Sequence, residues 1–253
     1  MRRIGLLISL ALLLALTGCS SNSLVVKEGV DVRKAAKANA ELGLRYMIQG
    51  SNEVAMTKLK RALEFDNTYG PAHHYLAELY RRRGRNADAE EHYEQAFSYS
   101  EGDTSLLSNN YGAFLCGQGR YKEGERQFSK VLQNPVYPRR DQVYENMGLC
   151  MLRKPDLKKA EEYLRKALQI NPHLPHSLLA MGKLSFEEKN YMSARAYLQR
   201  FQSEDKPTPE SLWLGIRVER ILGDKDALAS YGLALKGRFP DAPETKLYLE
   251  SLR

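Results

Sequence analysis

The side chains that could act as nucleophiles, bases or metal ligands are scattered along the 253 residues of this chain. His73 and His74 are neighbours, so on a helix they would point in different directions. No His-Glu-x-x-His, Cys-x-x-Cys or glycine-rich phosphate loop occurs. The adjacent carboxylates Glu90 and Glu91 have nothing but proximity in favour of a joint acid–base role. The sequence therefore predicts no catalytic site, no metal site and no cofactor.

A different chemistry is predicted at Cys19. Arg2-Arg3 precede an apolar run over residues 4–16, which indicates a secretory signal too short to span a bilayer. The run ends in Leu16-Thr17-Gly18-Cys19, which looks like a bacterial lipobox. In that motif the Cys thiol takes a diacylglycerol, and cleavage before it frees an amino terminus that is then acylated. We expect a signal peptide at 1–18 and lipid attachment at Cys19; a buried terminal helix is the alternative.

The residues after Cys19 predict where the chain is held. Ser20, and not Asp, follows the cysteine, which by resemblance to Gram-negative lipoproteins favours the outer membrane, facing the periplasm. Residues 19–35 are expected to form the lipidated start and a flexible tether, because the segment opens with Ser and Asn.

The rest of the chain is organised by a helical repeat, which residues 141–174 show most clearly. Tyr144 and Gly148 fall on one helical stripe, Ala160 and Leu164 fall on a second stripe, and Pro172 closes the unit. That spacing matches the 34-residue tetratricopeptide pattern. The small residues let two short helices approach closely, and the larger ones fill the space around their crossing.

The same template fits six times. The first small residue of each unit is Gly43, Ala77, Gly112, Gly148, Gly182 or Gly215, and the second is Ala55, Ala89, Gly124, Ala160, Ala194 or Ala227. Gly50, Gly84 and Gly119 are predicted C-caps of first helices, and Ser51, Asp156 and Asn190 are predicted N-caps of second helices. We predict an all-α, right-handed superhelical solenoid of six tetratricopeptide repeats and a short C-terminal capping helix. The predicted boundaries are 36–69, 70–104, 105–140, 141–174, 175–207 and 208–240, with the cap at 241–253.

The two cysteines that follow Cys19 have a simple preferred interpretation. Cys116 and Cys150 lie in first helices of adjacent repeats but at different repeat positions, so we favour two small buried side chains over a disulfide.

The net charge is +7, and the densest cluster of basic side chains spans residues 81–85. Cations that complement a helix C-terminus are the preferred explanation; anionic lipid or an acidic protein surface is the alternative. Nucleic acid is not an expected partner of a secreted lipoprotein.

A partner-binding groove is predicted from repeat position, since first helices line the concave face of such arrays. Its predicted residues are Leu44, Met47, Ile48, Asn109, Asn110, Glu145, Asn146, Leu149 and Leu152. Asn110 and Asn146 share one repeat position. A stacked carboxamide pair could hold the backbone of an extended peptide, or each Asn could instead simply bond to a neighbouring carbonyl. The apolar residues near Leu44 could equally lie beneath residues 24–35.

Several strings resemble a known family more closely than a generic repeat does. They are Glu41-Leu-Gly-Leu-Arg-Tyr46, Asn109-Asn-Tyr-Gly-Ala-Phe114, Tyr144-Glu-Asn-Met-Gly-Leu149, Leu214-Gly-Ile-Arg-Val218 and Ala229-Ser-Tyr-Gly-Leu233. With the lipobox, tether, six repeats and tail, nearly the whole chain resembles the pilotins of type IV pilus biogenesis, the PilF/PilW family. The resemblance implies a non-catalytic protein that binds secretin subunits, not a small-molecule substrate. It would promote secretin localisation and multimerisation in the outer membrane for twitching motility.

Two other functions remain open from the residues alone. Tetratricopeptide lipoproteins also serve as scaffolds or activators of cell-wall synthesis enzymes, and co-purification with such enzymes would favour that function. An enzyme with a cryptic site would be revealed by a hydrolase screen and metal analysis.

Overall fold

The computed structural model describes residues 31–252, so the predicted signal peptide, Cys19 and residues 20–30 lie outside the described part of the chain. Thirteen α-helices occupy this part. They are α1 Val32–Ile48, α2 Asn52–Phe65, α3 Gly70–Arg82, α4 Asn86–Ser98, α5 Ser105–Gly117, α6 Tyr121–Gln133, α7 Arg140–Arg153, α8 Leu157–Ile170, α9 Pro175–Glu187, α10 Tyr191–Glu204, α11 Pro209–Leu222, α12 Lys225–Arg238 and α13 Pro243–Glu250. Helix α1 begins at Val32, so the last four residues of the predicted tether are helical.

The helices form six antiparallel pairs, each a first and a second helix, and α13 follows the sixth pair. Each pair packs on the next one along the chain, mainly through the first helices and through a second helix against the following first helix. The buried side chains accordingly form a series of clusters along the array instead of one central core. The predicted all-α tetratricopeptide solenoid is therefore confirmed, with α13 covering α11 and α12 at the C-terminal end.

The helix ends follow the predicted capping residues. Gly50, Gly84 and Gly119 have φ of 78°, 69° and 76°, the left-handed conformation that glycine adopts at little cost. The side chains of Asp156 and Asn190 accept hydrogen bonds from backbone amides in the first turns of α8 and α10. Ser51 occupies the N-cap of α2 without such a side-chain bond. The predicted capping residues thus lie at the turn between the two helices in the first five pairs, whereas in the sixth pair the unpredicted Gly223, with φ of 79°, ends the first helix.

Several helix crossings have no room for a side chain at the first small position. A Cβ atom added to Gly148 would lie 2.6 Å from Cγ of Leu164, and one added to Gly43 would lie 2.6 Å from Cγ of Leu59. Leu59 and Leu164 are fully buried. At these crossings the two helices are therefore held so close that the residue must be glycine or must displace a core side chain. The fifth crossing is less tight, because a Cβ atom on Gly182 would meet its nearest neighbours at 3.7 Å.

The interpretation of Cys116 and Cys150 as unpaired cysteines is wrong. Their sulfur atoms are bonded, and the disulfide joins α5 to α7 across a Cα–Cα distance of 5.5 Å. Successive first helices stack side by side, and this brings together two residues that differ in repeat position. A Cβ atom on Gly124 would lie 2.5 Å from Sγ of Cys116. Glycine therefore replaces the usual alanine at this crossing and makes room for the sulfur.

Candidate functional site

The polar residues predicted to line the groove form hydrogen bonds between successive first helices. Nδ2 of Asn146 on α7 donates to Oδ1 of Asn109 on α5 over 3.1 Å. Nδ2 of Asn110 lies 3.0 Å from Nε2 of His74 on α3, so this histidine nitrogen accepts and its proton lies on Nδ1. Burial lowers the pKa of His74, which keeps its ring neutral for that role.

The same pattern continues to the fifth repeat. The backbone amide and the hydroxyl of Ser177 on α9 donate to Oε1 of Glu145 on α7, over 3.0 and 2.8 Å. A polar ladder of three bonded sites therefore fixes how α3, α5, α7 and α9 stack. Of the two possibilities for the asparagines, the structure shows bonding within the chain, although to side chains rather than to backbone carbonyls. Asn110 and Asn146 do not pair with each other.

The apolar groove residues differ in how far they reach solvent. Met47 is 7% exposed and lies in the N-terminal core cluster, so it is not available as a docking residue. Leu44 packs partly against that cluster, and Leu149 and Leu152 pack partly against the next one. Ile48 is 76% exposed at the end of α1. Among the nine predicted residues, Ile48 therefore presents the most open apolar side chain.

A cleft at the junction of the first three repeats was missed by the sequence reasoning. Its volume is about 310 Å³, and its walls include Tyr69, Tyr75 and Tyr99. Arg33 on α1 and Glu101 in the loop before α5 line it as well, and they form an exposed ion pair of 3.3 Å. Burial raises the pKa of Tyr75. In the sequence these tyrosines lie near the two ends of repeat two, but repeat position alone does not show that their side chains line one cleft.

The basic cluster at residues 81–85 is largely neutralised by nearby carboxylates. Arg81 pairs with Glu78 at 2.9 Å, Arg83 pairs with Glu53, and Arg85 pairs with Asp88 at 2.7 Å. The hydrogen bond from Arg85 lowers the pKa of Asp88. The preferred explanation of this cluster, a solvated helix end, agrees with these pairs, and they leave it little net charge for an external partner.

The described part of the chain has neither a cluster of metal-ligating side chains nor a helix that could span a bilayer. Between residues 31 and 252, no three His, Cys, Asp or Glu side chains are placed to share a metal ion. None of the helices in that range combines the length and the apolar character needed to cross a membrane. The arrangement that the described residues do provide is an extended, internally braced surface suited to contacts with another polypeptide.

Comparisons with known proteins agree with the repeat architecture. A family model described as tetratricopeptide repeat matches residues 115–175. The chain is 36% identical over 237 residues to the type IV pilus assembly protein PilF of Pseudomonas aeruginosa, covering 92% of this chain and 93% of that protein. It is 33% identical over 139 residues to an uncharacterized Haemophilus influenzae protein, covering 54% of this chain and 76% of that one.

Two solved structures are similar in shape as well as in sequence. The structure from a functional characterization of Pseudomonas aeruginosa PilF superposes with a TM-score of 0.77 at 34% identity, covering 87% of this chain and 99% of that one. The crystal structure of PilW, described as a widely conserved type IV pilus biogenesis factor, gives 0.74 at 28% identity, covering 85% and 98%.

Proposed function

This chain belongs to the PilF/PilW family of type IV pilus assembly proteins, and on that premise we propose that it is a pilotin. It binds secretin subunits in the periplasm and promotes their localisation and multimerisation in the outer membrane. Pili then pass through the assembled secretin, and twitching motility depends on it. Its own role is that of a non-catalytic scaffold.

The observation that carries this proposal is the extent of the likeness to PilF. Identity of 36% extends over 92% of the chain and 93% of the relative, whereas a generic tetratricopeptide match covers only residues 115–175. A shared repeat alone would support a fold and no particular partner. Similarity over more than nine tenths of both proteins supports a shared role in pilus assembly.

We propose that lipid at Cys19 tethers the array and that first helices provide the docking surface. Ile48 and Leu44 on α1, with Leu149 and Leu152 on α7, supply apolar contacts. The polar ladder that includes Asn109, Asn110, Glu145 and Asn146 holds the first helices in a fixed arrangement, which lowers the entropic cost of binding an extended segment. Tethering raises the effective concentration of secretin subunits at the membrane where they assemble.

The first experiment is deletion of the gene, followed by blotting of unheated membrane extracts for the pilus secretin. We expect the high-mass multimer to disappear while the monomer persists. Cys19→Ala should restore secretin binding but leave multimers outside the outer membrane, because it removes the anchor and not the array. Ile48→Asp should weaken secretin binding about tenfold, since a carboxylate replaces an exposed apolar contact.

Val136→Asp is the matched control for Ile48→Asp, because Val136 is 82% exposed in the loop between α6 and α7. It should bind secretin like the unaltered protein. Equal loss of binding in both variants would contradict a docking surface on α1. Undiminished multimers after gene deletion would contradict the pilotin role itself, and co-purification with cell-wall synthesis enzymes would then favour the alternative scaffold function.

A further inference from the structure

The solvent face of α6 carries three cations in a line. Lys122, Arg126 and Lys130 are spaced by four residues, so they lie above one another along about 12 Å of the helix. All three are exposed, and they lie on the side of α6 opposite its fully buried Phe128. We call these three residues the α6 stripe.

The carboxylates of α6 form their ion pairs with cations outside the stripe, although the charge of Arg126 adds to the hydrogen bond from Arg120 in lowering the pKa of Glu123. Glu123 pairs with Arg120 at 2.8 Å, and Glu125 pairs with Lys159 of α8 at 3.3 Å. No carboxylate of residues 31–252 lies within 4.0 Å of a stripe cation. The stripe therefore keeps its three positive charges, unlike the paired cluster at residues 81–85.

On the neighbouring outer helix, by contrast, two of the cations are neutralised by carboxylates of the same helix. On α8, Arg165 pairs with Glu161 and Lys166 pairs with Glu162, both at 2.6 Å. Such i,i+4 pairs consume the charges of a helix surface internally. The α6 stripe lacks such pairs although both helices belong to the same basic chain. Its unpaired charge is therefore a property of this helix surface and not of the overall composition.

We propose that the α6 stripe binds the anionic phosphate headgroups of the bilayer to which the chain is tethered. The exposed residues of α6 are all polar, namely Lys122, Arg126, Ser129, Lys130 and Gln133. They offer no apolar anchor of the kind that a protein interface needs. A headgroup layer requires only matching charge, and each Lys or Arg close to an anionic surface contributes favourably.

This inference rests on the lipid anchor of the proposed function and gives the anchored array an orientation. Helix α5 packs against the side of α6 that faces the core. When the α6 stripe lies on the headgroups, the side of α5 that does not contact α6 therefore faces away from the bilayer. The docking surface on first helices would then face the periplasm. The acyl chains at Cys19 supply the stable anchoring, and the stripe adds an orientation to it.

Energy transfer to labelled lipid headgroups tests the inference on the full, lipidated chain. The exposed Gln133 at the end of α6 is changed to Cys and labelled, and the protein is placed in nanodiscs of neutral lipid or of neutral lipid mixed with an anionic phospholipid. We expect about twofold higher transfer in the anionic discs, because the stripe is drawn to the negative surface. The difference should disappear at about 0.5 M salt, where charges are screened over a few ångströms.

Lys122→Glu/Arg126→Glu/Lys130→Glu should abolish the difference between the two kinds of disc. Lys206→Glu/Lys225→Glu/Lys246→Glu changes the net charge equally at exposed sites elsewhere and should retain the difference between the discs.

Equal transfer from the unaltered protein in both discs would overturn this inference without contradicting the pilotin role. If secretin binding were then lost only in the stripe variant, the stripe would bind an acidic protein surface instead of lipid headgroups. A chain that enters neither disc would contradict the lipid anchor and, with it, this inference.

Discussion

At the scale of single residues, two histidines in the second repeat are in direct contact. Nε2 of His73 lies 2.9 Å from the carbonyl oxygen of Asn67, so this nitrogen must carry a proton. Nδ1 of His73 lies 2.9 Å from Nδ1 of His92, and one proton lies between them. The ring of His92 also stacks on Tyr80, with centroids 5.3 Å apart. Two protonated rings would place two N–H groups against each other at the contact between His73 and His92.

The pair predicts a loss of stability in acid. Burial, and then the charge of His73, lower the pKa of His92, although Asp88 and Glu91 oppose this and Lys60 adds to it. In the unfolded chain the pKa of histidine is about 6.5, so below that pH the unfolded state binds more protons. The free energy of unfolding should therefore be highest above about pH 6.5 and should fall as the pH drops through that value. Urea denaturation at pH 7.5 and at pH 5 measures the difference.

His92→Gln should reduce this acid-dependent loss, because it removes the ring whose pKa is lowered by burial. His176→Gln is the matched control, since His176 is exposed and lies outside the pair. If both variants lost as much stability between pH 7.5 and pH 5 as the unaltered protein, the histidine pair would not be the cause.

At the scale of the elements, the helix crossings decide which glycines can be replaced. Gly148→Ala should lower the free energy of unfolding by about 1–3 kcal/mol, because the new methyl group would displace Leu164 in a packed core. Gly237→Ala on α12 makes the same chemical change where nothing lies within 4 Å of the added Cβ. It should be neutral or stabilise by about 0.5–1 kcal/mol, since alanine favours a helix. Equal effects of the two changes in urea denaturation would contradict a close crossing at Gly148.

At the scale of the whole molecule, a linear array depends on the contacts between successive repeats, because each unit touches only its neighbours. The polar ladder braces these contacts on the side of the first helices. The disulfide between Cys116 and Cys150 adds a covalent link in the middle of the array, between repeats three and four. Loss of that link should weaken both halves of the array, since each then lacks a fixed neighbour.

Reduction of the disulfide should therefore destabilise the protein. The two cysteines are separated by 34 residues, and closing a loop of that size is worth about 3–4 kcal/mol in the chain-entropy description. We expect a loss of this size when denaturation is measured with dithiothreitol. Cys116→Ala/Cys150→Ala should be similarly less stable and should not respond to the reductant. A reductant effect of equal size on this double variant would show that the disulfide is not responsible.

The amino-acid sequence by itself determined the repeat, the helix pairing and the capping glycines. These features are local: a small residue at Gly148, a bulky one at Leu164 and a glycine at Gly119 have the same task wherever the unit recurs. Similarity along the whole chain also indicated the family before any helix was positioned. The lipid attachment at Cys19 and the secretin partner stay predictions.

Only the tertiary structure decided how first helices meet across repeats. The rotation of one repeat on the next brings Cys116 to Cys150 and pairs Asn146 with Asn109 instead of with Asn110. It also buries Met47 and leaves Ile48 exposed, although the two are neighbours. Repeat position fixes which face of a helix a residue occupies. The stagger between stacked helices depends on the packing of many side chains at once, and that is not contained in a spacing rule.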